Sequence, residues 1–322
     1  MAGVKSLFNT QSFVDKAAFA KSAFKDEGGI ILARNLEHVS TEVFNQEYAG
    51  QTFLNQGITV NNEGGFSTSI TKLKMAVNGS FKEAGTTSNT NGKISLSGES
   101  DTMRSYLFDG ESDWTEIQLK QSELEGVNLV SRYFEGHSEL YSQKIDEVGY
   151  LGVKGDDGSQ KTFGLLNYPF ESSAADDTAE ALTGENLYKA IAGIITAQWN
   201  GVLNVETFKA NHVTMPDTVY NTLSLKILNS NGSEMTVLKA LQTNFTGITF
   251  GSTVKARDAG ASGASVVVAF STNRRAMQMR IPVPFNISSV DQRGFKYYVE
   301  SYFGIAGLDV IESTAGRILT GL

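Results

Sequence analysis

Apolar residues near the start of the chain recur with the period of a helix. Within residues 11–26 they lie at spacings of four, three and four, at Phe13, Ala17, Ala20 and Phe24, which places them on one helical face. Gly28 and Gly29 end this pattern, and a second helical pattern follows over 36–46. We therefore predict an N-terminal arm over residues 1–50.

From about residue 51 to residue 108 the helical period gives way to alternation of apolar and polar residues, as at 70–77. Alternation interrupted by Asn-Gly and Gly-Gly turns is typical of strands. We predict a long β-hairpin, polar on both faces, followed by further strands. Because an isolated two-stranded ribbon is only marginally stable in water, we expect the hairpin to lie on another surface.

A long helix is predicted over about 114–148. Apolar residues keep to one face at Ile117, Leu124, Val127, Val130, Phe134, Tyr141, Ile145 and Val148. Gly126 and Gly136 interrupt this pattern. Glycine costs about 1 kcal/mol relative to alanine in an exposed helix, so we expect these two residues to allow a close approach or a bend.

A second compact region is predicted after residue 164. Its patterns indicate a helix over 185–200, a strand at 212–215, a helix beginning at 216–217, a helix around 237–241 and a strand at 265–270. The segment 295–311 alternates through two strands around Gly304 and Gly307. We expect these strands to return to the region of the long helix.

Composition supports a folded chain with much strand. The 322 residues are 40% hydrophobic and 19% charged, with 32 Gly and only 4 Pro, and this length fits two closely joined domains or one large domain. No apolar run approaches the roughly 20 residues that span a bilayer. Cysteine is absent, which excludes disulfides and thiolate sites. The first residues lack an apolar signal segment, so we expect synthesis in a cytoplasm.

The net charge of −8 has the wrong sign for binding a nucleic-acid backbone through counterion release. Motifs for chemistry are also missing. Residues 85–94 resemble a phosphate-binding loop only loosely, because six residues separate the glycines and Ile94 replaces the hydroxyl that binds magnesium. The three histidines, His38, His137 and His212, lie far apart in sequence and match no metal motif. We predict no enzyme activity, no cofactor and no metal.

Arg274 and Arg275, followed by Arg280, are the densest basic cluster. Such residues could contact phosphate, but we expect them to pair with acidic groups on neighbouring strands or subunits.

Several segments resemble one known family in the same order along the chain. They are ILARNLEHVSTEVFNQEY at 31–48, NGSFKEAG at 78–85, GLLNYP at 164–169, and IPVPF at 281–285 together with Gln292 and residues 297–306. Each is similar to a segment of the Hong Kong 97-like phage major capsid proteins. The resemblance spans roughly residues 30–320, and the shared order is its strongest feature.

The resemblance implies an α+β fold of the Hong Kong 97 type. Its parts would be an N-terminal arm at 1–50, an extended hairpin loop at 51–90, a peripheral domain at 91–164 and 286–322 containing the long spine helix, and an axial domain at 165–285. It further implies a shell subunit without catalytic residues. Because the chain starts with the arm, we expect no large scaffolding region fused before it.

The implied function is an icosahedral head shell enclosing double-stranded DNA, in a virion assembled in the host cytoplasm. The implied partners are further copies in hexamers and pentamers, portal, scaffolding and decoration or head-completion proteins, and packaged DNA by non-specific proximity, with no membrane. Some relatives join a loop lysine to a neighbour's asparagine, and Lys72, Lys74 and Lys82 lie in or beside the loop here. Solvated lysines that prevent wrong strand pairing are the favoured interpretation.

The candidate inter-subunit contacts are Phe13, Phe24, Ile58, Val60, Phe66, Ile70, Lys72, Lys74, Arg274 and Arg275. Two alternatives stay open at this point: an encapsulin-type bacterial compartment shell of the same fold, and an enzyme of unrecognised chemistry. Electron microscopy of the purified protein separates shells from small oligomers.

Overall fold

The structure, a computed structural model, describes residues 52–82, 92–124, 126–202, 206–229, 233–260 and 263–322. Its α-helices are α1 (Glu116–Leu124), α2 (Leu129–Leu151), α3 (Gly184–Gly201), α4 (Asp217–Leu225) and α5 (Val237–Asn244). Its strands are β1 (Val60–Asn61), β2 (Ser69–Gly79), β3 (Ile94–Arg104), β4 (Tyr106–Thr115), β5 (Glu171–Ala174), β6 (His212–Pro216), β7 (Ile227–Asn229), β8 (Ser233–Thr236), β9 (Thr249–Thr253), β10 (Val266–Phe270), β11 (Met277–Arg280), β12 (Val283–Ile287), β13 (Asp291–Arg293), β14 (Lys296–Ile305), β15 (Gly307–Val310) and β16 (Gly316–Thr320). The predicted arm, with Phe13 and Phe24, lies outside the described residues.

The strands of the described residues form three sheets and two separate hairpins. The largest sheet has the order β5-β16-β10-β6-β9, and a three-stranded sheet has the order β1-β11-β15. In the third sheet β14 pairs with β4 from end to end, while its other edge carries β12 and β13. The hairpins are β2-β3 and β7-β8. Strands and helices therefore mix in one chain, as the α+β prediction states.

The largest sheet separates two hydrophobic cores. Side chains alternate across a strand, and in β10 Val266, Val268 and Phe270 face the first core while Val267 and Ala269 face the second. All five residues of β10 are buried. A continuous Val-Val-Val-Ala-Phe run is the pattern expected of a strand covered on both sides.

The first core joins α2 to the start of the described chain. Ile145, Val148 and Tyr150 of α2 pack with Phe53 and Ile58, and the Phe53 and Tyr150 rings meet edge to face at 5.2 Å. The buried Asp146 carboxylate accepts hydrogen bonds from the backbone N–H groups of residues 52 and 53, both at 2.9 Å. Charge-assisted bonds of this kind are stronger than neutral ones, so they fix this segment on the helix.

Aromatic rings hold the third sheet against α2. Tyr141 of α2 contacts Phe285 of β12 at 4.7 Å and Phe303 of β14 at 4.9 Å, measured between ring centroids. Farther along, Trp114 of β4 stacks on Tyr133 at 4.9 Å. Aromatic pairs contribute about 0.5–1.5 kcal/mol beyond their buried area. The strands 295–311 thus return to the long helix, and that prediction is confirmed.

The second core is built from α3, α4 and α5 on the largest sheet. Leu187, Ile191, Ile194 and Ile195 give α3 its buried face. Thr183 caps α3, and its hydroxyl accepts a hydrogen bond from the Asn186 N–H at 3.3 Å. The elements predicted between residues 185 and 270 are confirmed at α3, β6, α4, α5 and β10.

The prediction of one continuous helix over 114–148 is wrong. Strand β4 extends to Thr115, where it pairs with β14, and the helical residues divide into α1 and α2. Gly126 has a φ of +73°, a left-handed conformation that ends a helix and suits glycine. The chain divides into two compact units, one including the described residues 117–129 and the other including 52–116 and 130–322.

Two predicted boundaries also differ from the structure. The loop predicted at 51–90 is a hairpin whose return strand reaches Arg104, while its first residues, including Phe53 and Ile58, belong to the first core. The resemblance places residues 286–322 in the peripheral domain with the long helix, but β16 within this segment lies between β5 and β10 in the largest sheet. The first difference comes from packing of Phe53 and Ile58 against α2, and the second from pairing of β16 with distant strands. No local pattern specifies such long-range contacts.

Candidate inter-subunit surfaces

The β2-β3 hairpin has one apolar face and one charged face. Its strands pair over eleven residues, from Ser69 opposite Arg104 to Gly79 opposite Ile94. Residues directly opposite each other, and residues two apart along a strand, share a face. The apolar face is formed in the outer part of the hairpin by Leu73, Met75, Val77, Ile94 and Leu96, and nearer the base the same face carries Thr71, Ser100, Thr102 and Arg104. The prediction that the hairpin is polar on both faces is therefore wrong.

This apolar face is open to solvent. Leu73 and Met75 are each 71% exposed, Val77 is 70% exposed and Leu96 is 74% exposed. Near the end of the hairpin, Phe81 is 91% exposed. Single exposed apolar residues are ordinary, but a contiguous patch marks an interaction site or an aggregation hazard. The hairpin therefore presents a surface suited to contact with another protein surface.

The opposite face carries charges that connect the hairpin to the subunit body. Lys72 lies opposite Asp101, and Lys74 lies opposite Glu99. The Lys72 Nζ contacts Asp101 at 3.0 Å and also donates a hydrogen bond to the Asp309 carboxylate of β15. One face thus binds the hairpin's own subunit and leaves the apolar face free.

Asp309 is the centre of this connection. It is 2% exposed and accepts a hydrogen bond from the Arg280 Nε at 2.7 Å. Burial raises the pKa of Asp309, but hydrogen bonds from Lys72 and Arg280 outweigh burial and hold that pKa below its usual range. Burial likewise lowers the pKa of Lys72, while the bonds to Asp309 and Asp101 raise it above its ordinary value. Both groups are therefore charged at neutral pH.

The structure separates the predicted contact residues. Ile58 is 4% exposed in the first core, so its side chain is not available to a second subunit, and that prediction is wrong. Val60 is 39% exposed, on a strand paired with β11. Phe66 is 73% exposed, with its ring 6.1 Å from that of Tyr302. Ile70 is half-buried on the hairpin's charged side.

The basic cluster is also divided. Arg274 and Arg275 are exposed in the turn between β10 and β11. Arg280 is 7% exposed and bonded to Asp309 of the same chain. The expected pairing with a neighbouring strand is therefore found for Arg280, while Arg274 and Arg275 stay candidates for contact with another subunit.

The described histidines are not arranged as a catalytic or metal site. His137 of α2 shares a hydrogen bond with the Ser301 hydroxyl through Nδ1, at 2.8 Å. His212 lies on β6 of the largest sheet, where its ring packs against Phe270. Burial lowers the pKa of both. No group of three or more potential ligands occurs among the residues that the structure describes. Nor does any described helix have the length and apolar character to cross a membrane.

Two features of this surface escaped the sequence reasoning. The apolar face needs the register between β2 and β3, because Ile94 and Leu96 join Leu73, Met75 and Val77 only through pairing. The alternation at 73, 75 and 77 was the available signal. Asp309 has no local signal, since its partners are 29 and 237 residues away in sequence.

Comparisons with known proteins agree with a shell subunit. A family model described as "Major capsid protein" matches residues 84–321. The chain is similar to the capsid of Myoviridae phage XM1, at 68% identity and a TM-score of 0.81, over 92% of this chain and 100% of that chain. A comparison with curated proteins found no match.

More distant structures share the fold. The capsid of a native GTA particle matches at 12% identity and a TM-score of 0.64, over 93% of this chain and 98% of that one. A chain of Mycobacterium phage Ogopogo matches at 10% identity and a TM-score of 0.61, over 90% and 98%.

The fold and the exposed hairpin define a structural subunit that assembles with copies of itself. The chain belongs to the major capsid protein family of tailed phages. It forms the phage head shell, is located in the virion and is not an enzyme. The predicted Hong Kong 97-type fold is confirmed, and these matches favour the phage shell over the bacterial compartment.

Proposed function

We propose that the apolar face of the β2-β3 hairpin docks on an adjacent copy and thereby stabilises the shell more than the folded subunit. The exposure of about 70% at Leu73, Met75 and Val77 carries this proposal. A two-stranded ribbon cannot bury both of its own faces. Burying a few hundred Å² of apolar area contributes several kcal/mol at about 25 cal/mol per Å², before the cost of ordering is subtracted.

The test replaces the apolar face and leaves the strands intact. In the variant L73T/M75T/V77T we expect the melting temperature of the free subunit to stay within about 2 °C, because these side chains contribute little to either core. Shells should fail to close or should disrupt at a temperature lower by many degrees. Calorimetry of subunits and particles measures both quantities.

The matched control is S97T on the charged face of the same hairpin, which keeps a hydroxyl near Asn78. It should leave the subunit and the shell unchanged. If the apolar variant forms normal shells while its free subunit loses several degrees, the hairpin belongs to the subunit's own core and the proposal fails. Shortening 61–65 is a poorer test, because Asn61 is buried and its amide donates to Gln278 at 3.1 Å.

The domains take distinct roles in this proposal. Residues 1–50 form the arm, and the β2-β3 hairpin forms the extended loop. The peripheral domain consists of α2 with the β4-β14 sheet. The axial domain consists of the largest sheet with α3, α4 and α5. Axial domains would meet at the axes of hexamers and pentamers. The second core, which α3, α4 and α5 form on one side of the largest sheet, supports the axial part of this division. Negative-stain microscopy should show closed shells, and a strictly monomeric protein under assembly conditions would contradict it.

Further partners belong to the same proposal. Portal, scaffolding and decoration or head-completion proteins would bind the shell, and DNA would lie near its inner wall without sequence-specific contact. The net charge of −8 supports a wall that does not grip phosphates strongly. Free subunits should accordingly show no saturable binding to double-stranded DNA in a filter-binding assay at physiological salt.

A further inference from the structure

A buried charge cluster lies where the hairpin leaves the subunit. Its centre, Asp309, lies directly opposite Gln278 in the antiparallel pair of β15 and β11. The Gln278 amide donates to the carboxylate at 3.3 Å, and the Arg280 Nε donates to the same carboxylate oxygen at 2.7 Å. Asp309 is therefore held in place by the subunit body without the hairpin.

The hairpin contributes one cation, the Lys72 ammonium, to the cluster around Asp309. The Lys72 Nζ donates to the free Asp309 oxygen and lies 3.3 Å from the Val310 carbonyl oxygen. The same ammonium contacts Asp101 on the other strand of the hairpin at 3.0 Å. The side chain of Lys72 is 22% exposed. One ammonium group thus joins both hairpin strands to β15.

A second lysine makes a weaker contact beside the first. Lys74, two residues along β2 and on the same face, reaches the Ile311 carbonyl oxygen and the Glu312 carboxylate, both at 3.2 Å. Its side chain is 53% exposed. Solvent-exposed pairs contribute little, whereas removing one partner of a buried pair has a large effect. Lys72 is therefore the stronger of the two connections.

The buried carboxylate of the cluster is compensated. Asp309 is paired with both Lys72 and Arg280, while the exposed carboxylates of Asp101 and Glu63 lie at the outer sides of these two cations. The hairpin can therefore keep this direction without an uncompensated buried charge. If the hairpin swings away, Lys72 loses Asp309 while Arg280 keeps it. The subunit body is then still folded, but the hairpin has lost its fixed direction.

We propose that Lys72 is a positioning residue for shell assembly. By binding the preformed Asp309–Arg280 pair, it fixes the orientation of the hairpin in the free subunit, before a second copy associates. The idea rests on the proposed docking of the apolar face. A binding element held in its bound direction loses less freedom on association. Fixing the orientation of the hairpin should therefore raise the yield of closed shells, beyond what the Lys72 contacts contribute to the stability of the subunit itself.

The test compares three variants, each with a single lysine replaced. K72M removes the charge and leaves Asp309 bonded to Arg280, K72R restores a charged donor, and K93M removes an exposed lysine at the far end of the hairpin. Because the chain has no cysteine, spin labels can be placed at S97C on the hairpin and S138C on α2. Pulsed electron resonance then gives the distance distribution between them in the free subunit.

We expect a narrow distribution in the parent protein, in K93M and in K72R, and a clearly broader one in K72M. The yield of closed shells at limiting subunit concentration should fall severalfold in K72M alone, with the melting temperature of its subunit within a few degrees of the parent. If K72M folds poorly, K72Q repeats the comparison with a neutral donor.

An unchanged narrow distribution in K72M overturns the proposal, and so does a broadened distribution with normal shell yield. Failure of the docking proposal is distinguishable from both results. Normal shells from L73T/M75T/V77T would refute docking, while the distance distribution would still report whether Lys72 fixes the direction of the hairpin.

Discussion

His212 makes the stability of the subunit sensitive to acid. It is 8% exposed on β6, its Nε2 has no hydrogen-bond partner among the described residues, and burial lowers its pKa to about 4 from an ordinary value of 6.5. The unfolded chain therefore binds more protons between pH 6.5 and pH 4. Stability from this residue is complete above pH 6.5 and declines by up to about 3 kcal/mol as the pH falls to 4.

The measurement is the melting temperature of the free subunit between pH 4 and pH 7, for the parent and for H212F. We expect the variant to lose part of the decline below pH 6.5, because phenylalanine does not titrate. The comparison uses the slope with pH and not the melting temperature at pH 7, because the new ring must replace a histidine ring whose centroid lies 5.2 Å from that of Phe270. Identical slopes in the two proteins would show that other groups dominate the acid response.

At the scale of elements, two glycines of α2 give opposite predictions for the same substitution. An alanine Cβ at position 149 would clash with the Phe53 ring, whereas one at position 136 would have nothing within 4 Å. We expect G149A to destabilise the subunit by about 1–3 kcal/mol through overpacking. G136A should be neutral or more stable by up to about 1 kcal/mol, because alanine favours helix.

Thermal unfolding of both variants checks this pair, with each serving as the other's control. Equal destabilisation would indicate that helix α2 tolerates no added methyl group anywhere. A neutral G149A would mean that residues 52–61 can move away from the helix, and hence that Phe53 is not firmly held there.

The sequence predicted elements better than it predicted their partners. Helix α3 and strand β10 follow from their own periodicity, because each buries one or both faces in a repeating way. At Gly126 the sequence predicts a close approach or a bend, whereas the structure has the end of a helix there. The apolar face of the hairpin was missed, because Leu73 and Leu96 are brought onto one face by pairing and not by proximity in sequence.

At the scale of the whole molecule, we predict a shell without covalent links through the hairpin lysines. A lysine must be neutral to act as a nucleophile, but the bonds of Lys72 to Asp309 and Asp101 raise its pKa, and Lys74 is paired with Glu312. Denaturing gels of boiled mature particles should show the monomer band alone. A ladder of multiples that disappears in K72R, K74R or K82R would contradict this prediction and identify the lysine.

The pairing of distant segments has a consequence for how the subunit folds. Val60 pairs with Met279, and Glu171 lies beside Arg317, so the chain must close very long loops before several strands find their neighbours. High contact order of this kind makes folding slow, on the order of milliseconds to seconds or longer. Partly folded chains then expose unpaired strand edges together with the apolar face of the β2-β3 hairpin, and both promote aggregation. Slower synthesis at low temperature should therefore raise the fraction of newly made chains that reach the native state.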